Sequence, residues 1–250
     1  SAMVPYDFDD QLAFPRDPAD YASIEPVDLS KLRVAFSEDL GFCPVDNGHR
    51  KTFRERTALF GSAFKKAIDK DPDLATVEKV NWALRGQLFI ARHKERYENS
   101  KDKLGPNVIS NYEAALEMTA SDISWAHQEQ TEIYRRMQHF FDDVDILICP
   151  CVGVPPFPTD QWYPEEINGE KMDNYIQWVA LTWALTIPGN PVTALPCGLE
   201  PTGTPFGLQI VGRYHTDRFV IGVAKALEEL FQGNAELARP VPDIEKLKAA

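Results

Sequence analysis

The chain has 250 residues, 44% hydrophobic and 26% charged, and its 38 acids against 26 bases give a formal net charge of −12. That length and balance suit a globular chain able to bury a substantial core. A field of this sign repels a phosphate backbone, and no dense Lys/Arg stripe offsets it, so nucleic acid is excluded as an expected partner.

The most apolar stretch, 175–187, is too short to cross a bilayer and reads as a buried helix. The acidic beginning (Asp7, Asp9, Asp10) is not that of a signal peptide. Ser1-Ala2 before Met3 reads as a cloning remnant, which leaves Met3 as a candidate start. The five histidines are scattered and offer no metal-ligand spacing. Of the four cysteines, Cys149 and Cys151 are separated by one residue, where a redox dithiol has two. A reducing, cytoplasmic setting is expected, without a disulfide framework.

In chain order, residues 1–30 are polar and punctuated by Pro5, Pro15, Pro18 and Pro26, which predicts an extended lead-in. Residues 31–37 alternate, with Leu32, Val34 and Phe36 on one side of a half-buried strand. Asp46 is placed to cap a helix whose apolar positions Phe53, Phe60, Phe64 and Ile68 share a face. Asp71-Pro-Asp73 stops it. A second helix follows with Val77, Val80, Leu84, Leu88 and Ala91 at helical spacing, ending in the charged run 92–103. After Gly105-Pro106, residues 108–143 favour two helical pieces that divide near Ser121, the second carrying Ile133, Met137 and Phe140 on one stripe. Asp145-Ile-Leu-Ile-Cys-Pro150 reads as a buried strand.

Residues 151–171 hold Pro155, Pro156, Pro158 and Pro164 around Trp162 and Tyr163, with no periodicity. A loop of that length tends to be functional or disordered, and the aromatics predict a packed one. An apolar helix over 173–187 follows. Two strands, 192–197 and 206–212, come next, and then a helix capped by Thr216 or Asp217 with Phe219, Val223, Leu227 and Leu230 inward. Pro240 and Pro242 end that helix. The order of elements predicts an α/β chain, a mixed β-sheet core flanked by helices. Its strands are few for 250 residues.

The run Pro188-Gly-Asn-Pro-Val-Thr-Ala-Leu-Pro-Cys-Gly198, followed by Gly203-Thr-Pro-Phe-Gly-Leu-Gln-Ile-Val-Gly212, resembles the C-terminal block of the amidase signature family. Residues 145–150 are similar to that family's aspartate, apolar strand and proline segment. Residues 32–37, preceded by Pro-Arg-Asp-Pro at 15–18, resemble the strand opening the family's second half. The resemblance implies a partial amidase-signature fold over 31–250, with the Pro-rich loop 151–171 inside it. It also implies a parent enzyme that hydrolyses amide bonds with a serine nucleophile, a bridging serine and a lysine base. Such an enzyme acts on a small-molecule amide and needs no metal or organic cofactor.

The Gly/Ser-rich segment that carries those serines is not in the chain, and no Gly-x-Ser-x-Gly elbow replaces it. Ser30-Lys31 and Ser100-Lys101 lack a glycine turn to present a hydroxyl. No catalytic residue is therefore assigned, and this portion by itself is expected to be inactive. Candidate substrate-contacting residues are Cys151, Trp162, Tyr163, Tyr175 and Trp178. Two roles fit Cys151: lining an acyl pocket, or filling space at a strand end. The aromatics fit an apolar substrate wall, and Tyr175 and Trp178 equally fit core packing. His215 fits a structural place at the cap of the last helix.

The A-type subunits of glutaminyl-tRNA amidotransferases in this family hold glutamine with an arginine and an acid. Those positions fall here near Asn111 and near Trp178 or Val179, so a zwitterion is expected to lack charge partners, which favours an uncharged, partly apolar amide. The rival to an amidase portion is a non-catalytic interaction or scaffold module. A portion cut from a shared sheet is expected to expose an apolar edge and to pair with another copy through it.

Overall fold

The computed structural model describes residues 15–248, together with Asp7, Asp9 and Ala13. Ser1, Ala2 and Met3 lie outside the described residues. The lead-in is tied down from Pro15 on. Asp17 and Asp28 cap short 3-10 turns at Pro18–Tyr21 and Leu29–Lys31. Between them the Val27 amide donates to the Gly222 carbonyl at 3.1 Å.

Strand β1 (Arg33–Phe36) is covered on both faces, not half-buried: Val34 and Phe36 join one core and Ala35 the other. Helix α1 (Asn47–Phe60) starts as expected, with the Asp46 carboxylate accepting from the Gly48 and His49 amides. Its buried face is His49, Thr52, Phe53, Thr57 and Phe60, and it ends at Gly61. Phe64 and Ile68 are not on it. Residues Lys66–Asp69 form strand β2, parallel to β1 with Val34 opposite Ala67. Pairing with β1 supplies β2 with backbone partners, and that tertiary gain overrides the helical period.

Helix α2 (Val77–Ser100) buries Val77, Val80, Ala83 and Gly86, while Leu88 is exposed. Gly86 lets α3 (Pro106–Leu116) come close, since a Cβ there would lie 3.2 Å from the Ala115 Cβ. Helix α4 (Ala120–Asp143) opens on a capping box between Thr119 and Asp122 and buries the Ile133, Met137 and Phe140 stripe. Strand β3 (Ile146–Pro150) is wholly buried, parallel to β1 and antiparallel to a later strand.

The Pro-rich loop contains one small hairpin, β4 (Glu166–Ile167) with β5 (Glu170–Lys171). The helix expected over 173–187 shrinks to a 3-10 turn, Gln177–Val179, and α5 (Ala180–Thr186). The Asn174 side-chain oxygen takes the Ile176 amide, the Gln177 side chain takes the Asp173 amide, and the Trp183 indole N–H donates to the Ile176 carbonyl. These bonds compete with a helical ladder.

Strands β6 (Val192–Leu199) and β7 (Pro205–Val211) form the expected hairpin. Helix α6 (Asp217–Gln232) buries Val220, Val223, Ala224, Leu227 and Phe231, leaving Leu230 exposed. Thr216 stands at its N-cap without a side-chain cap bond, and its hydroxyl donates to the Arg213 carbonyl. Gly233 ends α6 well before the prolines. A last short helix is α7 (Ile244–Lys248).

The sheet runs β2-β1-β3-β7-β6. One face packs on α1 and α6 through Val34, Ile146, Ile148, Leu208 and Ile210. The other packs on α2, α4 and α5 through Ala35, Leu147, Cys149 and Val211. Burial on both faces explains the unbroken apolar run of β3. The architecture is the mixed α/β sheet flanked by helices that the sequence predicts. Among the described residues no helix is long and apolar enough to cross a membrane.

Candidate functional site

The candidate site is built where β3 runs into the Pro-rich loop. Pairing continues one residue past β3, with the Cys151 amide donating to the Gly207 carbonyl at 2.9 Å. Gly207 makes room for the side chain, since a Cβ there would lie 3.1 Å from Cys151 Sγ. Burial pushes the Cys151 thiol up to about 11, Cys197 up to about 12, and Cys149 and Cys43 higher still. At neutral pH these are protonated thiols, not nucleophiles.

The next residues are clamped to the start of α1. A Cβ on Gly153 would fall 2.5 Å from the Pro44 carbonyl oxygen, and the Asp46 amide donates to the Gly153 carbonyl at 2.7 Å. Farther along, Asn168 accepts from the Asn47 amide at 2.9 Å and donates to the Val45 carbonyl at 2.8 Å. Inside this clamp Val154, Ile167 and Met172 form a small buried cluster, with Phe157, Tyr163 and Trp178 packed on it. The Phe157 and Trp178 rings meet edge to face at 5.2 Å.

The five candidate residues therefore separate. Tyr163 and Trp178 share the apolar cluster. Trp162 is 66% exposed and does not join it, so the packed-loop expectation holds for only one of the two neighbouring aromatics. Cys151 sits against β7. Tyr175 belongs to a polar group: its hydroxyl accepts from Arg85 Nη2 at 2.8 Å and from Asn111 Nδ2 at 2.9 Å, and Arg85 Nε donates to Asn111 Oδ1 at 3.2 Å.

Arg85 bears on the expectation of missing charge partners. Its guanidinium reaches Asn111 from α2 and lies 4.5 Å over the Phe89 ring. Two turns earlier on the same helix, Glu78 Oε1 accepts from Gln177 Nε2 at 3.4 Å, beside Trp178. A cation and an acid are thus present near both positions, supplied by a different element. Neither stands out in the sequence, because each occupies an ordinary polar place in an amphipathic helix. His215, expected at the last cap, precedes it with a positive φ of 65° and lies 3.4 Å from Arg16 Nη2.

Two further buried polar positions lie outside the five candidates. Gln209 lies in the middle of β7 and donates to the Pro150 and Leu181 carbonyls. His49 Nδ1 lies 3.2 Å from Glu200 Oε2, both side chains almost wholly buried, and burial holds the imidazole below its ordinary pKa against the pull of Glu200. Among the described residues no group of three or more His, Cys, Asp or Glu side chains is placed to hold a metal ion.

The candidate residues thus lie where a mixed sheet covered on both faces meets a proline-rich loop. The Amidase family matches residues 6–221, and the chain belongs to that family. It is 24% identical over 240 residues to an acylamidase of Rhodococcus erythropolis, covering 94% of this chain and 48% of the relative. It is 25% identical over 178 residues to the A-type subunit of the glutamyl-tRNA(Gln) amidotransferase of Prochlorococcus marinus, covering 69% of this chain and 35% of the relative. A bacterial aryl acylamidase of the amidase signature enzymes has the same fold, with a TM-score of 0.70 at 21% identity over 86% of this chain and 47% of that one. The chain spans about half the length, or less, of the curated relatives it matches.

Proposed function

We propose that this chain is the C-terminal half of an amidase, a hydrolase of carbon–nitrogen bonds in small amides, whose serine–serine–lysine centre lies on the other half. The observation that carries the reading is the family match over residues 6–221 in a chain that spans 48% of the acylamidase it resembles. In that reading residues 31–250 supply sheet strands and one wall of the substrate cleft. Tyr163 and Trp178 line the wall on their apolar cluster. Cys151 fills the junction with β7 as a neutral, compact side chain, since its raised pKa removes it from nucleophilic catalysis. The chemistry uses no metal or organic cofactor, and the 250-residue chain alone is inactive.

The apolar wall supports an uncharged acyl amide or anilide as substrate. Arg85 and Glu78 favour a second reading, an amide bearing its own charges, including the glutamine used by amidotransferases of the A type. Hydrolysis of an acyl anilide, an aliphatic amide and glutamine separates these. The test uses both the 250-residue chain and the polypeptide extended upstream in its own gene. The expected result is no turnover by the former and turnover of the anilide or aliphatic amide by the latter. Turnover by the 250-residue chain, or none of any amide by the extended polypeptide, overturns the proposal.

A further inference from the structure

The chain carries the dipeptide Asn-Gly twice, at 47–48 and at 168–169, and the fold brings the two together. The Asn47 amide donates to Asn168 Oδ1 at 2.9 Å, and Asn168 Nδ2 donates to the Val45 carbonyl at 2.8 Å. An asparagine followed by glycine is open to attack from its own backbone, because glycine has no Cβ to screen the amide nitrogen. That nitrogen adds to the side-chain carbonyl carbon and expels the side-chain nitrogen as ammonia, closing a cyclic imide. Water then opens the ring to aspartate or isoaspartate. The sum is an amide and a water consumed, a carboxylate and an ammonium formed.

The two sites are not equal. Asn47 is the first residue of α1, and the Gly48 amide donates to Asp46 Oδ1 at 2.8 Å, so the nitrogen that would attack is held by a carboxylate. The anion opposes loss of the proton that makes this nitrogen a nucleophile. Asn168 stands instead with Gly169 at the tip of the β4–β5 hairpin. Their φ values of 54° and 84° are the left-handed pair of a type I′ turn. The Gly169 amide has no acceptor among the described residues, both residues are exposed, and a Cβ on Gly169 would meet nothing within 4 Å. What restrains Asn168 is its pair of bonds to the segment leading into α1. Ring closure must turn its Cγ onto the Gly169 nitrogen, which draws Oδ1 off the Asn47 amide and Nδ2 off the Val45 carbonyl.

We propose that Asn168-Gly169 is a self-modifying site, at which intramolecular deamidation of Asn168, held back by the Asn47 and Val45 bonds, releases the Pro-rich loop from α1. The inference stands apart from the amidase reading, since it uses only the loop and the start of α1. The change runs one way. An aspartate at 168 has only acceptors, so it keeps the Asn47 amide but sets oxygen against oxygen at the Val45 carbonyl. Isoaspartate also adds a main-chain carbon to a turn built for two residues. The new charge falls between Glu166 and Glu170 in a chain already at −12, which further opposes reclosure. Asn168 and Gly153 pin the loop to the start of α1, and the Val154, Ile167 and Met172 cluster packs inside that clamp. Loss of the Asn168 pin therefore loosens the apolar wall that carries Tyr163 and Trp178.

The test follows the 250-residue chain in warm, mildly alkaline buffer by peptide mass mapping, which separates asparagine, aspartate and isoaspartate forms. In the native chain Asn168 is expected to convert ahead of Asn47, and in urea Asn168 should convert about tenfold faster or more. Asn47→Pro removes the amide that holds Oδ1, while proline suits the first helical position and Asp46 before it already has ψ near 140°. This variant should raise the native rate at Asn168 by about threefold or more. The product mimic Asn168→Asp should let the Asn47 amide exchange hydrogen about tenfold faster, while the Leu147 amide stays unchanged. If Asn47→Pro fails to fold, wild-type conversion of Asn168 and hydrogen exchange of the Asn47 amide are compared in rising urea below the unfolding transition, where the two rates should climb together. Asn47 converting first, equal rates at Asn168 in the native and unfolded chain, no acceleration by Asn47→Pro, rates that diverge in urea, or undiminished Asn47 protection in Asn168→Asp overturns the proposal.

Discussion

Gln209 and Leu181 are joined across the interface of β7 and α5: the side-chain Nε2 of Gln209 donates to the Leu181 carbonyl at 3.0 Å and, with its other hydrogen, to the Pro150 carbonyl at 3.1 Å. One amide thus fastens the end of β3 and the start of α5 to the same strand. Gln209→Leu keeps the volume and strips both carbonyls of their donor, which is expected to cost about 2–4 kcal/mol. A urea titration should show a lower midpoint with an unchanged slope. A shift below about 0.5 kcal/mol would mean that the carbonyls find other partners.

Gly198, near the end of β6, and Gly203, in the β6–β7 connection, both have positive φ, at 73° and 83°. A Cβ on Gly198 would stand 1.9 Å from the Glu236 carbonyl oxygen, whereas one on Gly203 meets nothing within 4 Å. Gly203→Ala should therefore cost only the left-handed penalty of about 1 kcal/mol. Gly198→Ala must also displace the backbone after α6 and should cost several times more. Thermal melting of the two variants side by side checks the ranking, and equal losses would refute it.

His49 gives a pH dependence whose sign is fixed by its burial. The folded state holds the imidazole below its ordinary pKa, so the unfolded chain takes up the proton first as pH falls. The contribution of His49 to stability is full above about pH 6.5, shrinks as pH drops below that value, and levels off below the folded pKa. His49→Gln, which keeps a polar side chain beside Glu200, removes the titration. The stability difference between wild type and variant should narrow from about pH 7 to about pH 5. A constant difference across that window would show that His49 titrates alike in both states.

The thiols supply a chemical readout of the site. With Cys151 held at about 11, only about one molecule in ten thousand carries its thiolate at pH 7. Alkylation of the native chain by iodoacetamide at pH 7 is expected to be far slower at every cysteine than in urea. Rapid labelling of Cys151 alone in the native chain would contradict its role as a neutral packing residue.

Much of this molecule is legible in the sequence wherever one local cause decides the outcome. The five residues of β3 are apolar because both sheet faces cover them, and a bounded apolar run states that directly. The Asp46 cap likewise announces a helix start through a side chain that meets its own backbone. Illegible features depend on distant partners. Ile68 continues a helical spacing, yet its segment lies beside β1, and only that pairing makes it a strand. Trp162 and Tyr163 are neighbours of equal apolar weight, and which one faces the cluster depends on how Gly153 and Asn168 pin the loop to α1. Arg85 reaches the Asn111–Tyr175 pair only because α2 and α3 approach over Gly86.

The parallel neighbours β1 and β3 are tied by Arg33 and Asp145, which pair at 2.7 Å although they stand 112 positions apart in the chain. Everything in α2, α3 and α4 is an excursion between β2 and β3. Its internal contacts are local, and the sheet it interrupts is not. Helical hairpins form in microseconds, whereas a pairing of such long range must wait for its loop to close. Lengthening the excursion at its exposed 101–105 turn costs little equilibrium stability, about 0.6 kcal/mol for each doubling of the loop. That corner is where descendants of this gene are free to grow.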